Sequence, residues 1–477
     1  MAAAPNGVVR QNGHARQHRA WWKESAVYQI YPASFQDSTG SGVGDLQGIT
    51  SRVDYMKALG VDIVWLSPIF ESPQIDMGYD ISDYRKIDPP YGTIEDVDAL
   101  KDALHARGMK LVLDLVVNHT SDQHEWFKQS RSSKDSPYRD WYIWRPARYD
   151  ADGTRHPPNN WDAHFQGSAW EWDEHTQDVK ADRGELSMIF HFEFVDLDHG
   201  DKGKFSPREW PLADFRAVAD KWQRFMYAND GWNALYLENH DQPRAVSRLA
   251  SDAPAHRADA AKMIAMVQAL QGGTPFIYQG QELGMHNIPK EWGMEEYKDV
   301  DCLNHWNLYK DSPDEKLKAA LRVEYQKKSR DNARTPMQWT AGPHAGFTTP
   351  DATPWMRVHP NHTVINADAQ VHDPASVFAC WRTVLDARKT HKDVFVYGDF
   401  ALVDDDHDTV FAYARTADDG ATAVVAANFS ADEVVWDGFK GRTVAEVLVT
   451  NKGRTVDALA GGAVKLAPYE GVAVLLG

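Results

Sequence analysis

The feature of this sequence that most restricts its fold is a recurring short apolar run that leads directly into a cluster of polar residues. In the clearest example, the run Ala234 to Leu237 precedes the segment ENHDQPR, which contains His240 and Asp241. A short, mostly apolar run is typical of a strand covered on both faces of a parallel sheet. Open α/β sheets and β/α barrels carry their active sites at the carboxyl ends of such strands. A single His-Asp pair is also common in ordinary polar loops, so the interpretation depends on whether the pattern recurs.

The same pattern occurs twice in the first quarter of the chain. The segment KLVLDLVVNHTSD (110–122) is an apolar run that contains Asp114 and ends at His119. The segment VDIVWLSP (61–68) leads through a loop to the tripeptide Gly-Tyr-Asp at 78–80. Since parallel strands end at one rim of a sheet, the pattern predicts that two strands bring a histidine to a shared site.

Composition restricts the class of protein. A chain of 477 residues with 43% hydrophobic and 25% charged residues is globular and long enough for two or three domains. The formal net charge of -18 argues against a nucleic-acid partner, which requires a basic face. Two cysteines, Cys302 and Cys380, cannot form a disulfide framework, so a reducing compartment is expected. Without a signal-peptide pattern or a long apolar stretch, we expect a cytoplasmic protein with no membrane partner.

Six longer segments extend the pattern through most of the chain. They are AVYQIYPASF (26–35), GVDIVWLSPIFESP (60–73), GYDISDY (78–84), LVLDLVVNHTSDQHEWF (111–127), ENHDQPR (238–244) and SRDNARTPMQW (329–339). Together they resemble the α-amylase family of glycoside hydrolases, family 13, and within it the branch of α-glucosidases, maltases and oligo-1,6-glucosidases. The resemblance extends from Trp21 to Gly477.

The resemblance implies an α/β fold of the (β/α)8 TIM-barrel type, with an inserted lid subdomain and a C-terminal antiparallel β domain. It also implies a retaining hydrolase that releases glucose from maltose- or isomaltose-like α-glucosides and requires no cofactor. The expected division of the chain is a disordered tail at 1–20, a barrel formed by 21–120 and 178–393, a lid at 121–177, and the β domain at 394–477.

Three charged residues would act on the sugar, according to the resemblance. Asp241 would stabilise the transition state by holding ring hydroxyls and distorting the ring. Asp80 and Arg334 would clamp the non-reducing end of the substrate, with their charged groups bridging to its terminal hydroxyls. The alternative for Asp80 and Arg334 is an ordinary surface ion pair.

Three ring-bearing residues would complete the sugar site. His119 and His240 would bind sugar hydroxyls, and Tyr79 would stack on the face of the pyranose. The alternative for the two histidines is a structural role in which their ring nitrogens are satisfied by protein groups.

The number of predicted strands is too small for a complete barrel. A β/α barrel closes with eight strands, whereas this sequence predicts six, which begin at Val27, Val61, Lys110, Leu186, Ala234 and Thr274. By resemblance, the fourth and fifth are absent, and the gap lies near Gln177 and Asp178. These two strands carry the nucleophile and the acid/base glutamate in the family, and a retaining glycosidase needs both carboxyl groups. Neither motif occurs elsewhere in this sequence.

Three hypotheses about function follow. The chain is an α-glucosidase, a catalytically silent sugar-binding remnant, or an incomplete product of an ordinary α-glucosidase gene. Glu193, Glu238 and Glu282 also lie near strand ends, but structural roles are expected for them. Ring distortion by Asp241 cannot replace two missing carboxyl groups.

One further loop has the spacing of a metal site. Asp37, Thr39, Ser41, Val43 and Asp45 have the alternate-residue spacing of a calcium loop, and the resemblance implies a metal there. Only two of these five residues carry a carboxylate, and carboxylate count determines calcium affinity. The sequence therefore leaves two alternatives, a weak calcium site and a metal-free turn.

Overall fold

The computed structural model describes residues 18–163, 167–173, 188–201, 203–229, 231–460 and 462–477. Most of the predicted N-terminal tail and the predicted gap at Gln177 and Asp178 lie outside the described residues.

Eighteen strands form six sheets in the described residues. In chain order they are β1 (Val27–Ile30), β2 (Ile63–Leu66), β3 (Phe70–Glu71), β4 (Asp83–Ile87), β5 (Lys110–Leu113), β6 (Arg148–Tyr149), β7 (Arg155–His156), β8 (His199–Gly200), β9 (Gly203–Pro207), β10 (Ala234–Leu235), β11 (Thr274–Tyr278), β12 (Asp399–Leu402), β13 (Val410–Thr416), β14 (Thr422–Asn428), β15 (Val434–Trp436), β16 (Val444–Thr450), β17 (Val464–Leu466) and β18 (Gly471–Leu476).

The α-helices of the same residues lie mainly between the strands of the first half and before the C-terminal strands. They are α1 (Trp21–Glu24), α2 (Leu46–Ser51), α3 (Val53–Leu59), α4 (Ile94–His105), α5 (Glu125–Ser132), α6 (Glu193–Asp196), α7 (Leu212–Ala228), α8 (Ala245–Leu249), α9 (Arg257–Ala269), α10 (Val300–Asn307), α11 (Glu315–Lys328), α12 (Asp331–Arg334), α13 (Ala367–Gln370), α14 (Val377–Thr390), α15 (Lys392–Phe395) and α16 (Val456–Leu459). Within the described ranges, none is long and apolar enough to span a bilayer.

A parallel sheet of five strands carries the polar clusters predicted from the sequence. Its order is β10-β11-β1-β2-β5, and all four pairings are parallel. The central strand β1 is buried along its whole length, as its apolar sequence predicts. Helices α3, α9 and α14 pack against this core through buried residues such as Met56, Ile264 and Trp381. The β/α architecture implied by the resemblance is therefore present in the described residues.

The strand predicted at Leu186 to Phe194 is not formed as a regular strand in its described residues. Of its described residues, only Ile189 makes a bridge, parallel to Asn233, and α6 begins at Glu193. A strand in a closed barrel pairs on both sides, and here the described partner contributes a single residue. With so few backbone hydrogen bonds available, a longer extended segment is not stabilised.

The sheet is open on the outer side of β5. This strand pairs with β2 on one side and with no described strand on the other. Val112, Leu115 and Val117 are 44%, 64% and 72% exposed, although a strand at this position of a closed barrel is normally covered on both faces. We call residues 110–117 the open seam. It lies where the fourth strand of a complete barrel would pair.

The C-terminal strands form a second, antiparallel sheet. Its order is β12-β13-β14-β18-β16, and β15 pairs with β17 beside it. Buried residues on its faces, including Trp436 and Val474, form their own apolar cluster. The β structure begins later than the predicted domain boundary at 394, because Lys392–Phe395 is helical and the first strand begins at Asp399. That segment follows α14 directly and closes with helical hydrogen bonds from Val394 and Val396.

Candidate functional site

The site lies at the carboxyl ends of β1, β2 and β10. Tyr31 follows β1, Tyr79 lies in the loop that follows β2, and His240 and Asp241 follow β10. Helix α12 brings Arg334 to the same rim, where its guanidinium contacts Asp241. Four separate parts of the chain therefore meet at one edge of the sheet, as expected for active sites of this architecture.

Asp241 is held by two guanidinium groups. Its Oδ1 accepts hydrogen bonds from Arg334 at 2.7 Å and from Arg330 at 3.1 Å. Arg334 also donates from Nε to the carbonyl oxygen of His240 at 3.0 Å, which fixes the guanidinium relative to the strand end. Both arginine side chains are almost completely buried, whereas 36% of the Asp241 side chain is exposed. The cluster therefore presents one carboxylate to solvent.

The charge state of Asp241 follows from these neighbours. Burial opposes ionisation, but His240, Arg330 and Arg334 outweigh it and hold the pKa of Asp241 well below its ordinary value. Asp241 is consequently an ionised hydrogen-bond acceptor at neutral pH. A carboxylate with so low a pKa is a weak base and cannot donate a proton.

His240 is fixed between two tyrosine rings. Its imidazole stacks on Tyr79 with centroids 5.1 Å apart and an interplanar angle of 10°, and on Tyr31 at 6.2 Å and 7°. The side-chain amide of Gln29 donates to Nδ1 at 2.7 Å, which assigns the proton of a neutral ring to Nε2. Nε2 lies 3.2 Å from Oδ2 of Asp241. The ring therefore lies beside the carboxylate oxygen that the two arginines do not bond.

Arg330 and Asp299 belong to the cluster, although sequence reasoning did not single them out. Arg330 donates from Nε to Asp299 at 2.6 Å and from a terminal nitrogen to Asp76 at 3.1 Å, while it also contacts Asp241. Asp299 is fully buried, and despite burial the two arginines lower its pKa. The segment SRDNART contains Arg330 as well as Arg334, so this motif could have identified Arg330. Asp299 lies outside the motif. We call Asp76, Asp241, Asp299, Arg330 and Arg334 the charge cluster.

The alternative of a direct ion pair between Asp80 and Arg334 is not formed, and their clamp on the sugar remains a prediction. Asp80 instead accepts hydrogen bonds from Ser72 Oγ at 2.9 Å and from the backbone N–H groups of Ile75 and Asp76 at 2.9 and 3.1 Å. These bonds close a loop that contains two non-glycine residues with positive φ, at positions 74 and 77. Such backbone is costly and persists only where surrounding contacts hold it. Asp80 is therefore used to shape the loop, and Arg334 pairs with Asp241.

Tyr79 and His119 contact protein groups at the rim. Besides its stacking on His240, Tyr79 donates its hydroxyl to Asp114 at 3.1 Å. His119 is exposed, and its Nε2 lies 2.9 Å from the carbonyl oxygen of Tyr79 while its Nδ1 lies 3.0 Å from the amide of Asn118. The predicted sugar contacts of Tyr79, His119 and His240 remain predictions, and each ring now has an observed protein neighbour.

Asp114 is a second carboxyl group at this rim that sequence reasoning left without a role. It follows β5, and burial, the largest influence, raises its pKa above the ordinary value. Tyr79 donates a hydrogen bond to it, and His240 opposes the effect of burial on its pKa, but no described Lys or Arg makes an ion pair with it. Asp114 therefore differs from Asp241, which is paired with two cations.

The three glutamates near strand ends have structural partners. Glu238 is buried and accepts from Arg244 at 3.0 Å and from the N–H of Ala245. Glu282 is buried and accepts from the hydroxyl of Tyr28 at 2.8 Å. Glu193 is part of an exposed ion pair with a lysine. Their carboxylates serve the packing of the chain, and none joins the charge cluster.

The predicted calcium loop is filled by hydrogen bonds. The carboxylate of Asp37 accepts from the N–H groups of Thr39 at 2.9 Å and Gly42 at 2.7 Å, and the hydroxyl of Thr39 also donates to it. Asp45 accepts from Ser38 and from Gly48, which makes it the N-cap of α2. Among the described residues no group of three His, Cys, Asp or Glu side chains could hold a metal ion.

Donors occupy the positions where a cation would need acceptors. The hydroxyl of Ser41 donates to the carbonyl oxygen of Val43, so these two residues of the loop pair with each other. Burial opposes ionisation of Asp37, yet these hydrogen bonds lower its pKa overall. The geometry favours the metal-free turn over a calcium site.

A family model locates this chain among known proteins. The model described as "Alpha amylase, catalytic domain" matches residues 29–180 and 179–398. The two matched segments meet at 179–180, beside the junction where the strand count places the missing units. The break in the match agrees with a gap at that place.

Relatives of known sequence match over almost the whole chain. An α-glucosidase of Schizosaccharomyces pombe is 39% identical over 566 aligned positions, which cover 94% of this chain and 96% of that protein. An oligo-1,6-glucosidase of Parageobacillus thermoglucosidasius is 38% identical over 86% of this chain and 91% of that protein. Because the first alignment is longer than the 477 residues of this chain, the relative contains residues that have no counterpart here.

Solved structures show the same fold. The trehalulose synthase MutB of Pseudomonas mesoacidophila superposes with a TM-score of 0.90 at 32% identity, covering 96% of this chain and all of that one. A mutant isomaltulose synthase of Erwinia rhapontici, solved with its natural substrate sucrose, gives 0.90 at 32% identity and covers 96% and 99% of the two chains.

Proposed function

The chain belongs to the α-amylase family of glycoside hydrolases, and from this premise we propose that it binds the terminal glucose unit of an α-glucoside at the charge cluster. By family it is a glycoside hydrolase of the α-glucosidase type. The proposal concerns which residues of this chain meet the sugar and how far they can carry the reaction.

The observation that carries the proposal is that Asp241 is the most exposed member of the charge cluster, with 36% of its side chain exposed against 24% for Asp76, while Asp299, Arg330 and Arg334 are buried. Burying two arginines and a carboxylate has a large desolvation cost, which only close pairing offsets. Such an arrangement holds one ionised carboxylate in a fixed position and aims it at solvent. A fixed carboxylate suits recognition of sugar hydroxyls, which can each donate a hydrogen bond to it.

The ring stack beside the carboxylate supports the same role. His240 presents Nε2–H toward Asp241, and Tyr79 covers the outer face of the imidazole. A sugar hydroxyl that approaches Asp241 would therefore meet an acceptor and an aromatic wall together. Arg330 and Arg334 keep the acceptor ionised while the sugar binds.

The chemical step requires more than this arrangement supplies. Retaining hydrolysis uses one carboxylate to attack the anomeric carbon and one carboxylic acid to protonate the leaving oxygen, about 5 Å apart. Asp241 is ionised and tied to two guanidinium groups, so it fits neither role. We therefore infer binding with little or no turnover, in which hydrolysis is the property of the family and glucose binding is the property of this chain.

Calorimetric titration with 1-deoxynojirimycin and with glucose tests the proposal. We expect measurable binding to the unaltered chain and a loss of at least tenfold in affinity for Asp241→Asn. The matched control is Asp54→Asn, an exposed carboxylate paired with Arg107 far along the chain, which should bind as the unaltered chain does. Equal affinity of Asp241→Asn and the unaltered chain, with the fold intact by near-UV circular dichroism, would remove Asp241 from the site.

A further inference from the structure

We propose that two copies of this chain pair through the outer edges of their β5 strands, antiparallel to each other and centred on Val112. The partner surface is the open seam of a second identical chain. This inference concerns assembly and does not depend on sugar binding.

Among the described residues, one edge of the β5 backbone has no partner strand. Lys110 donates its N–H to Asp62 and Asp114 donates to Leu66, so these residues direct their peptide groups toward β2. Because peptide groups alternate sides along a strand, Leu111 and Leu113 direct theirs outward. No described strand receives them. An edge of this kind is a template for pairing with another strand.

The sequence of β5 is complementary to itself when it is read antiparallel. With Val112 opposite Val112 of the partner subunit, Leu111 faces Leu113 and Lys110 faces Asp114. Leu111 and Leu113 are the residues with outward peptide groups, so they would form the hydrogen-bonded pairs of the ladder. The register that centres on Val112 therefore satisfies every outward N–H and C=O of the strand.

Charge complementarity selects this register over its neighbours. Lys110 is exposed and lies against the ring of Trp21 without an ion pair to a described residue, and Asp114, which accepts a hydrogen bond from Tyr79 and lies near His240, has no described lysine or arginine partner. In the proposed register each lysine faces a carboxylate at the non-hydrogen-bonded positions, where side chains lie closest. A shift of two residues would place Val112 opposite Asp114 or Lys110 and would lose both pairs.

The apolar content of the seam provides the driving force. Val112 is 44% exposed, and on the same strand neither face is fully covered. Natural edge strands are usually protected by proline, a bulge or a covering element, and 110–117 contains no proline. Pairing would cover Val112 with its own copy, an isologous contact that closes at two subunits.

Size-exclusion chromatography with light scattering measures the expected state directly. At physiological salt, where the Debye length is about 8 Å and the net charge of each chain is largely screened, we expect a species of twice 53.8 kDa. A monomer at all concentrations would overturn the proposal. A series of increasingly large oligomers would also overturn it, because it would mean that two different surfaces of the chain contact each other.

Cross-linking at the predicted twofold axis tests the register. Val112→Cys should form an intermolecular disulfide on mild oxidation with diamide, because antiparallel non-hydrogen-bonded neighbours lie about 4.5 Å apart at Cα, within the disulfide range. Val364→Cys is the matched control, since Val364 is 75% exposed and lies outside the seam. Equal cross-linking of the two variants would contradict the assignment.

A charge swap distinguishes specific pairing of the two β5 strands from nonspecific association. Lys110→Asp alone and Asp114→Lys alone each place like charges opposite each other, and each should weaken dimerisation roughly tenfold, since both symmetric cross-strand pairs change from attractive to repulsive. The double variant restores opposite charges and should recover the dimer. If the double variant is as weak as the singles, Lys110 and Asp114 do not face each other.

Discussion

The two sides of the parallel sheet differ in how completely their polar and apolar groups are paired. On the β10 side, Arg330, Arg334 and Asp299 are almost completely buried and bonded to one another. On the β5 side, Val112, Leu115 and Val117 are exposed, and Asp114 has a tyrosine hydroxyl as its hydrogen-bond partner. The charge cluster is intact because every chain segment that forms it is present. The β5 edge, in contrast, lacks a described neighbouring strand. Segments 74–80, 238–244, 299 and 329–335 supply the charge cluster, and none adjoins the gap.

The largest expected effect concerns catalysis. We expect this chain to hydrolyse a nitrophenyl α-glucoside at background rates, and a chain with the two missing βα units restored from a close relative to be roughly a millionfold faster, because loss of one member of a catalytic group can cost that much. Initial rates of the two proteins measure this. If the rates agree within tenfold, and Asp241→Asn silences both, the described side of the sheet carries a substitute nucleophile.

The next effect concerns the stability of the charge cluster. Arg334→Ala should lower the free energy of unfolding by about 3–5 kcal/mol, because it leaves buried carboxylates without their partner. Urea denaturation followed by circular dichroism measures the change. The matched control is Arg357→Ala, which removes an exposed pair with Glu296 and should cost under about 1 kcal/mol. Similar losses of unfolding free energy in both variants would mean that Arg334 contributes no more to stability than an exposed ion pair does.

A valine pair compares the interior of the sheet with the seam. Val64→Thr, at a fully buried position of β2, should cost about 1–3 kcal/mol because it buries an unpaired hydroxyl. Val117→Thr, at a position 72% exposed, should stay within about 0.5 kcal/mol. The same urea titration serves for both. A large loss for Val117→Thr at concentrations where the chain is monomeric would show that other residues of the same chain cover the seam, and it would count against the open edge.

The smallest expected effect is the pH dependence contributed by Asp241. Its pKa is depressed in the folded state, so its contribution to stability is complete at neutral pH and is lost as pH falls below the ordinary aspartate value of about 3.9 and through the lower folded value. Asp241→Asn should flatten the acid limb of the unfolding curve, by less than about 1 kcal/mol because the side chain is partly exposed. An unchanged acid limb would show that Arg330 and Arg334 do not stabilise the ionised form.

The local sequence was sufficient for the strands that are buried on both faces. β1, β11 and the polar clusters after β5 and β10 lie where the apolar runs and their ends predict them. The fold class follows from these runs, because a parallel sheet with polar strand ends has few alternatives. The gap was also visible in the sequence, since a missing strand removes a run that can be counted.

The tertiary structure decided which charged groups meet. The sequence allows an ion pair between Asp80 and Arg334. In the structure, the Asp80 carboxylate accepts hydrogen bonds from the backbone of its own loop, and Arg334 pairs with Asp241. Asp299 joins the cluster from the N-cap position of α10, and that local role does not reveal its bond to Arg330. Residue spacing along a strand or helix reports its faces, whereas an ion pair between distant segments depends on how those segments pack, and that information is not contained in any local stretch of the sequence.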